Sequence, residues 1–463
     1  MLAELLLHIM VKENGKIFSG AAILGVGAFL AKLIGAAYRV PLTAIIGSEG
    51  LGLYQMLFPV YVVLLEFSGA GLPNALSKII SEEGADAYRA RAYLKKALKF
   101  FLVVGTAASL TMIVFAKPFA IKQGDARAAA AYVALAPSVL FVCLISCFRG
   151  YFQGQMKMTP TASSQIIEQV IKLICGLGFS YLFMPDIKLA AAGAALGVTL
   201  SEAAAFTGLL FCYVKGIKKL PYLKYKLNYA DVRIKTIIKN VIPVTLTGVV
   251  LPVSQVIDSF IILNALKIHS ENATAIFGLF TGVAQTIINL PVAVCYGIAV
   301  TAIPSVSGAK SQDVQTKNCL KCMLLTLGVS LPSAVLCYLF SPLAIKILFS
   351  GLSAEHKLLA VSLVKIMAIN VVLASFLQTI NAILIGKKKL YSPVLGLITG
   401  SVVKIILNAI LVKDSQIGIY GGAVGLIACY FVANLVNFIS AFSREREKER
   451  YESKTTRIRE NDG

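Results

Sequence analysis

Residues Gly154–Lys172 read GQMKMTPTASSQIIEQVIK, and residues Gly386–Lys404 read GKKKLYSPVLGLITGSVVK. Each stretch opens with a Gly that closes an apolar run, crosses a short basic turn and meets a Pro. Each then places a Lys eighteen residues after the Gly, inside the next apolar run. A second echo keeps the same order. Gly52-Leu53-Tyr54 followed by Gly71–Ser77 (GLPNALS) matches Gly278-Leu279-Phe280 followed by Ala302–Ser307 (AIPSVS), again about 230 residues on. Two matches at nearly one offset identify an internal duplication, and a charge at a matching depth of two membrane halves is a common transporter plan.

The rest of the chain fits that plan. Hydrophobic residues make up 57% of it and charged residues 14%, against about a quarter charged in soluble domains. Twelve apolar runs lie near 17–42, 51–76, 97–116, 128–148, 161–184, 189–214, 241–265, 274–302, 320–340, 358–385, 391–412 and 418–442. Most hold the ~20 residues that a helix needs to cross ~30 Å of hydrocarbon, and none shows the ~10-residue alternation of a barrel strand. The expected fold is an all-α integral membrane protein of about twelve helices in two six-helix lobes. The N-lobe takes 17–214 and the C-lobe 241–442. A basic connector, 215–240, joins them, between a stub at 1–16 and a charged tail at 443–463. Six spans per half make the copies parallel repeats.

Charge sets the orientation. With residues at span mouths counted with the loops, 31 of the 44 Lys and Arg fall on the side of the N-terminus and 8 on the other. The bias places both termini in the cytoplasm and makes the net charge of +21 topological. No nucleic-acid partner is expected, because the tail Arg444–Arg459 alternates Glu with Arg and holds a single aromatic, Tyr451, in place of a stacking series. The segment MLAELLLHIM is too short to span, Met10 offers a second start, and no cleavable signal is convincing. Cys319-x-x-Cys322 has no second Cys pair or His nearby, so no metal or cofactor is expected.

No GxxxxGK[ST] loop is present and the three His are scattered, so the chemistry falls to ionisable groups inside the spans, each costing about 2.5–3.5 kcal/mol at a helix centre. Lys32 and Arg39 lie two turns apart on one face of the first span. A stacked cationic pair suits a phosphate or pyrophosphate, although Arg39 is close enough to the outer end to snorkel. Glu168 and Lys172 are spaced for an intrahelical ion pair. Lys404 stands at the repeat position of Lys172, but Gly400 replaces the Glu, which leaves Lys404 without a local partner. Glu66 and Glu202 are candidate partners of Lys32 or proton carriers. Asp258, with Asn381 or Gln378, could form an oxygen site for Na⁺ or a proton site; the alternative is a buried acid paired with Lys404 or Lys365. Arg149 reads as a positive-inside anchor.

The stretch FLAKLIGAAYRVPLTAIIGSEGLGLYQMLFPVYVVLLEFSGAGLPNALSKIISEE, Phe29–Glu83, resembles the amino-terminal signature of the stage V sporulation protein B and polysaccharide-export family. That family sits in the multidrug/oligosaccharidyl-lipid/polysaccharide exporter superfamily, beside the MurJ-type flippases. The resemblance covers essentially the whole chain. It implies a V-shaped pair of bundles in the cytoplasmic membrane, alternating access, and flipping of a lipid-linked glycan whose pyrophosphate meets first-helix cations, here Lys32 and Arg39. Two departures are visible. The first cation is Lys rather than Arg, and the second-helix position that is basic in MurJ-like proteins is acidic here, around Glu66. The two extra spans of MurJ-like proteins are also missing from the count. A cation-coupled multidrug exporter of the same fold is the alternative reading, and a scaffold recruiting glycan-biosynthesis enzymes through the tail is a second.

Overall fold

The computed structural model describes residues 17–82, 87–218, 237–238, 241, 245, 248–309, 311–389 and 391–442. The expected stub, most of the connector and the charged tail lie outside the described residues, as does the side chain of Lys32. Every long element is helical. The N-lobe comprises α1 (Ile17–Leu65), a π-helical turn at Glu66–Ala70, α2 (Leu72–Glu82), α3 (Ala87–Val114), α4 (Ala116–Gln123), α5 (Ala129–Gly154), α6 (Thr159–Leu182) and α7 (Ile187–Lys218). The C-lobe comprises α8 (Val250–Leu266), α9 (Ala273–Gly278), a π-helical turn at Leu279–Ala284, α10 (Gln285–Ser307) and α11 (Gln312–Leu348). It continues with α12 (Ala354–Met367), α13 (Ile369–Gly386), α14 (Ser392–Leu411) and α15 (Ile419–Phe442).

Helix ends follow local chemistry. Ser311 and Ser353 cap α11 and α12, accepting from the amides of Val314 and His356. Pro160 and Pro393 occupy the first turns of α6 and α14, where the missing N–H costs nothing.

Helix α1 has 49 residues, roughly 73 Å if straight, too long for one crossing. It is broken at Gly47, whose φ of 67° lies in the left-handed region that glycine tolerates. Contacts show that the chain reverses there. The limb before Gly47 rises along α6, with Gly27 on Ala162, Gly35 on Gln169 and Tyr38 on Gly176. The limb after it, continued by α2, rises along α5: Tyr132 donates to the Met56 carbonyl, Cys143 to the Ser68 carbonyl, and Gly150 packs on Pro73. Helices α5 and α6 form a hairpin, so the two limbs run in opposite directions. Among the described residues, ten helical stretches are long and apolar enough to cross a membrane. The first, Leu33–Ser81, contains the reversal, and Val250–Leu266 is a shorter apolar helix. Each of the twelve apolar runs is mainly helical where it is described, with breaks or turn residues at points such as Gly71 and Ala368, and the chain is a multi-pass membrane protein.

The duplicated stretch is duplicated in three dimensions. Met156 (φ 58°) and Lys388 (φ 61°) are the two non-glycine residues with positive φ among those described, at the same place in the two turns. Each amide bonds the carbonyl three residues back, Gln153 and Ile385, and the next amide bonds Phe152 and Leu384. Gly154 then packs on Ile80 and the Ser77 carbonyl, while Gly386 packs on Val306 and the Ile303 carbonyl.

The apolar core has the form of a fork. On the side of Gly47 one continuous cluster joins both lobes, from Leu42, Ile46 and Leu57 to Phe277, Phe280 and Met367. Toward the opposite side it gives way to two separate clusters. One holds Leu76, Ile80, Phe148 and Tyr151 of the N-lobe, and the other Val306, Cys319, Ile383 and Ala441 of the C-lobe. The stem is tied by polar bonds between lobes: Ser48 with His356 (2.9 Å), Thr274 donating to Asp125 (2.8 Å), Gln123 donating to Ser259 (2.8 Å). Outward-facing Leu324, Leu339 and Ile347 on α11 are 61–67% exposed, as a lipid-facing surface requires.

Candidate substrate cavity

Two chambers lie in the fork. The larger, about 700 Å³, is held by the N-lobe and bounded across the cleft by α10. The smaller, about 320 Å³, is held by the C-lobe and bounded by the second limb of α1. Both are lined by Arg39, Phe58 and Asn289, so they meet at that point. Arg39 is therefore central to the cavity and does not snorkel. Its Nη1 crosses the cleft and donates to Thr286 Oγ1 on α10 (2.6 Å). The Thr286 hydroxyl itself bonds back to the Gly282 carbonyl.

The N-lobe chamber gathers charges from four helices, α1, α5, α6 and α7. Lys172 on α6 donates to Gln169 Oε1 and stands 5.6 Å from the centre of the Tyr38 ring, a cation–π distance. The expected Glu168–Lys172 pair is not what forms. Glu168 pairs with Arg149 of α5, whose Nη2 lies 3.1 Å from its carboxylate while Nε donates to Ser164. Arg149 thus lines the chamber and is not an anchor at a loop. The hairpin turn brings Arg149 to Glu168 and Ser164, which sequence spacing along one helix does not reveal. Glu202 on α7 lines the same chamber, is 7% exposed and has a carboxylate oxygen, Oε2, with no hydrogen-bond partner.

The C-lobe chamber is neutralised from within. Lys404 and Asp258 form an ion pair at 2.5 Å, and Asn408 donates to the other Asp258 oxygen (2.9 Å). Lys404 therefore has a partner, supplied by α8 instead of by the preceding turn of its own helix. Gly400 has a packing reason: a Cβ there would overlap the Cys429 carbonyl of α15. Asn381 does not join Asp258; it accepts from Asn437 (2.7 Å). Gln378 faces the larger chamber, away from the Asp258 pair. Glu66 lines neither chamber; its carboxylate lies where a side chain on Gly248, just before α8, would stand. Lys32 lies on α1 seven residues before Arg39, with its side chain outside the described residues.

The repeat sharpens the contrast. Gly52 and Gly278 pack against each other, and the 226 residues between them also separate Lys32 from Asp258. At the position where the C-lobe carries the acid that neutralises its Lys, the N-lobe carries another Lys. Three participants were missed by the sequence reading, Thr286, Tyr38 and Asn408. Thr286 carries no local signal, because its role depends on a residue 247 positions away.

Comparison with known proteins agrees with this architecture. The family described as polysaccharide biosynthesis protein matches residues 17–307. Stage V sporulation protein B of Bacillus subtilis (strain 168) is 25% identical over 433 residues, covering 90% of this chain and 82% of that protein. Lipid II flippase MurJ of the same strain is 25% identical over 464 residues, covering 91% and 82%. Among solved structures, an inward-facing multidrug resistance MATE family transporter of the MOP superfamily superposes with a TM-score of 0.74 at 18% identity. It covers 89% of this chain and 94% of the other. Lipid II flippase MurJ in an inward closed conformation gives 0.70 at 16% identity, covering 90% and 87%.

Proposed function

The chain belongs to the polysaccharide biosynthesis protein family, and on that premise we propose that it flips a lipid-linked glycan across the cytoplasmic membrane by alternating access. The cargo's polyprenyl pyrophosphate would be held in the N-lobe chamber. One observation carries this reading: Arg39, Lys172 and Arg149 line a single chamber between the lobes, and the matching Lys404 of the other lobe is cancelled by Asp258. Among the described residues, the chamber cations without an acid of their own, Arg39 and Lys172, both come from the N-lobe side of the cleft. Guanidinium and ammonium groups in a low-dielectric cavity are the chemistry that phosphate oxygens require. The polar C-lobe chamber, lined by Gln55, Gln255, Gln285, Asn289 and Asn370, offers the neutral hydrogen-bonding surface that suits sugar hydroxyls.

With the Lys and Arg bias setting the termini inside, the tied stem faces outward and the fork opens to the cytoplasm, where the cargo is made. The experiment is reconstitution of the full chain in liposomes with a fluorescent polyprenyl-pyrophosphate sugar. Arg39→Ala and Lys172→Ala should each slow flipping by about 10- to 100-fold, the worth of one charged hydrogen bond. Flipping that is absent from the parent protein, or unchanged in both variants, overturns the reading. The unpartnered Glu202 favours a second reading, a cation-coupled multidrug exporter. It requires that overexpression confer resistance to cationic drugs and that Glu202→Gln abolish it.

A further inference from the structure

We propose that Glu202 is a proton-binding site within the N-lobe chamber, and that the proton it holds sets the chamber's affinity for a doubly charged anion. The inference rests on reading that chamber as the phosphate site. Two carboxylates share the chamber, Glu168 and Glu202. Arg149 is committed to Glu168 and to Ser164. Lys172 is committed to Gln169 and the Tyr38 ring. Glu202 is left with the field of Glu168 and Lys172 from α6, Arg149 from α5 and Tyr61 from α1, but with no hydrogen bond to Oε2. Arg39 lines the same chamber. A second buried carboxylate beside a first, lacking a partner of its own, is the one that takes up a proton.

The charge balance gives the proton a task. Arg39, Arg149 and Lys172 against Glu168 alone leave an excess of two positive charges among the described residues, which equals the charge of a pyrophosphate diester. Ionised Glu202 halves that excess and repels the ligand, whereas protonated Glu202 can donate its O–H to a phosphate oxygen. The step is a simple protonation: one proton from water binds one carboxylate, and no other bond changes. By linkage, the bound dianion raises the proton affinity of Glu202 by the same factor. Loss of that proton on the outer side would then promote release.

The test uses the full chain in lipid nanodiscs with a short-chain prenyl-pyrophosphoryl sugar, whose two charges are constant across the neutral range. Wild-type affinity should fall by about tenfold, or about 1.4 kcal/mol, as pH rises through the Glu202 titration. Glu202→Gln should bind tightly with no pH dependence. Infrared difference spectroscopy of the ligand-free protein should show a protonated-carboxyl band that titrates, disappears in Glu202→Gln and survives in Glu66→Gln. A wild-type protein with no such titrating band overturns the proposal without any variant. So does a Glu202→Gln protein that keeps the wild-type pH slope. If the band behaves as expected but neither protein binds the probe at any pH, the proton site stands and the phosphate reading of the chamber fails.

Discussion

The contrast between Lys172 and Lys404 shows how one residue at one repeat position acquires two roles. Both sit eighteen residues after the Gly of the repeated turn. Lys404 is 5% exposed and Asp258 is 8% exposed, and their contact with Asn408 satisfies both oxygens of the acid. Such a pair contributes little net stability, yet breaking it from one side leaves a buried charge uncompensated. Asp258→Asn should therefore destabilise the protein by about 3–5 kcal/mol, while Asp258→Leu combined with Lys404→Met should come close to wild type. Thermal unfolding of the detergent-solubilised protein reads both. A single variant as stable as the double would mean that Lys404 reaches water or a second acid. The sequence made Asp258 and Lys404 suspicious because they are ionisable in apolar runs. It offered Lys404 or Lys365 as the partner of a buried Asp258, and the structure forms the Lys404 pair. The sequence alone could not choose between these and an ion site, because 146 positions separate the two residues and the partner arrives from a different helix.

At the scale of elements, the lobes meet where two glycines remove side chains. A Cβ on Gly52 would overlap the Thr274 carbonyl, and one on Gly278 would overlap the Ser48 carbonyl. This lets the second limb of α1 touch α9 backbone to backbone. Leu51 then fills the space over Gly282. The hydrogen bond between Ser48 and His356 spans the same seam. Gly52→Val should hold the stem apart, because backbone atoms cannot give way as a flexible side chain could. Cysteines at positions 48 and 356 report on this directly. Their crosslinking should be efficient in the parent protein and fall several-fold when Gly52→Val is added. Equal yields would show that the seam tolerates a side chain and that closure depends on the polar ties alone. The same seam shows where sequence reading stopped. Its apolar runs stopped near 42 and restarted near 51, but helix continues to Ile46 and resumes at Ser48. Thr43 folds its hydroxyl back onto the Arg39 carbonyl and so sits in a helix without penalty. Only the φ of Gly47 breaks it, and hydropathy does not register a single backbone angle.

At the scale of the whole molecule, two lobes of apolar helices were legible because apolar runs, the repeated turn and the Lys and Arg bias are written along the chain. The bonds that join the lobes were not, because each links residues far apart: Arg39 to Thr286, Ser48 to His356, Gln123 to Ser259, Asp125 to Thr274. The last of these adds a dependence on acidity. Asp125 is 6% exposed and lies outside the spans, between α4 and α5. Burial pushes its carboxyl up, but bonds from the Arg127 side chain, Thr274 and the Arg127 amide outweigh that and hold it below the ordinary carboxylate value. Arg127 reaches on to Glu49 at 2.6 Å, so the network ties α5 to the Gly47 turn as well as to the other lobe. A depressed carboxyl stabilises the folded state at every pH above its unfolded value of about 3.9. That contribution is lost as pH falls toward and through the lower folded value. At neutral pH, Asp125→Asn should cost about 1–3 kcal/mol, the loss of charged hydrogen bonds at a buried site. The gap between wild type and variant should stay constant from neutral down to mildly acidic solution and close only in strong acid. Paired melting curves measured across that range decide the matter. A gap that closes near neutrality would assign the pH dependence to another group. Absence of a gap at any pH would mean that the stem is held by its apolar core and the glycine seam, with the Asp125 network contributing nothing to closure.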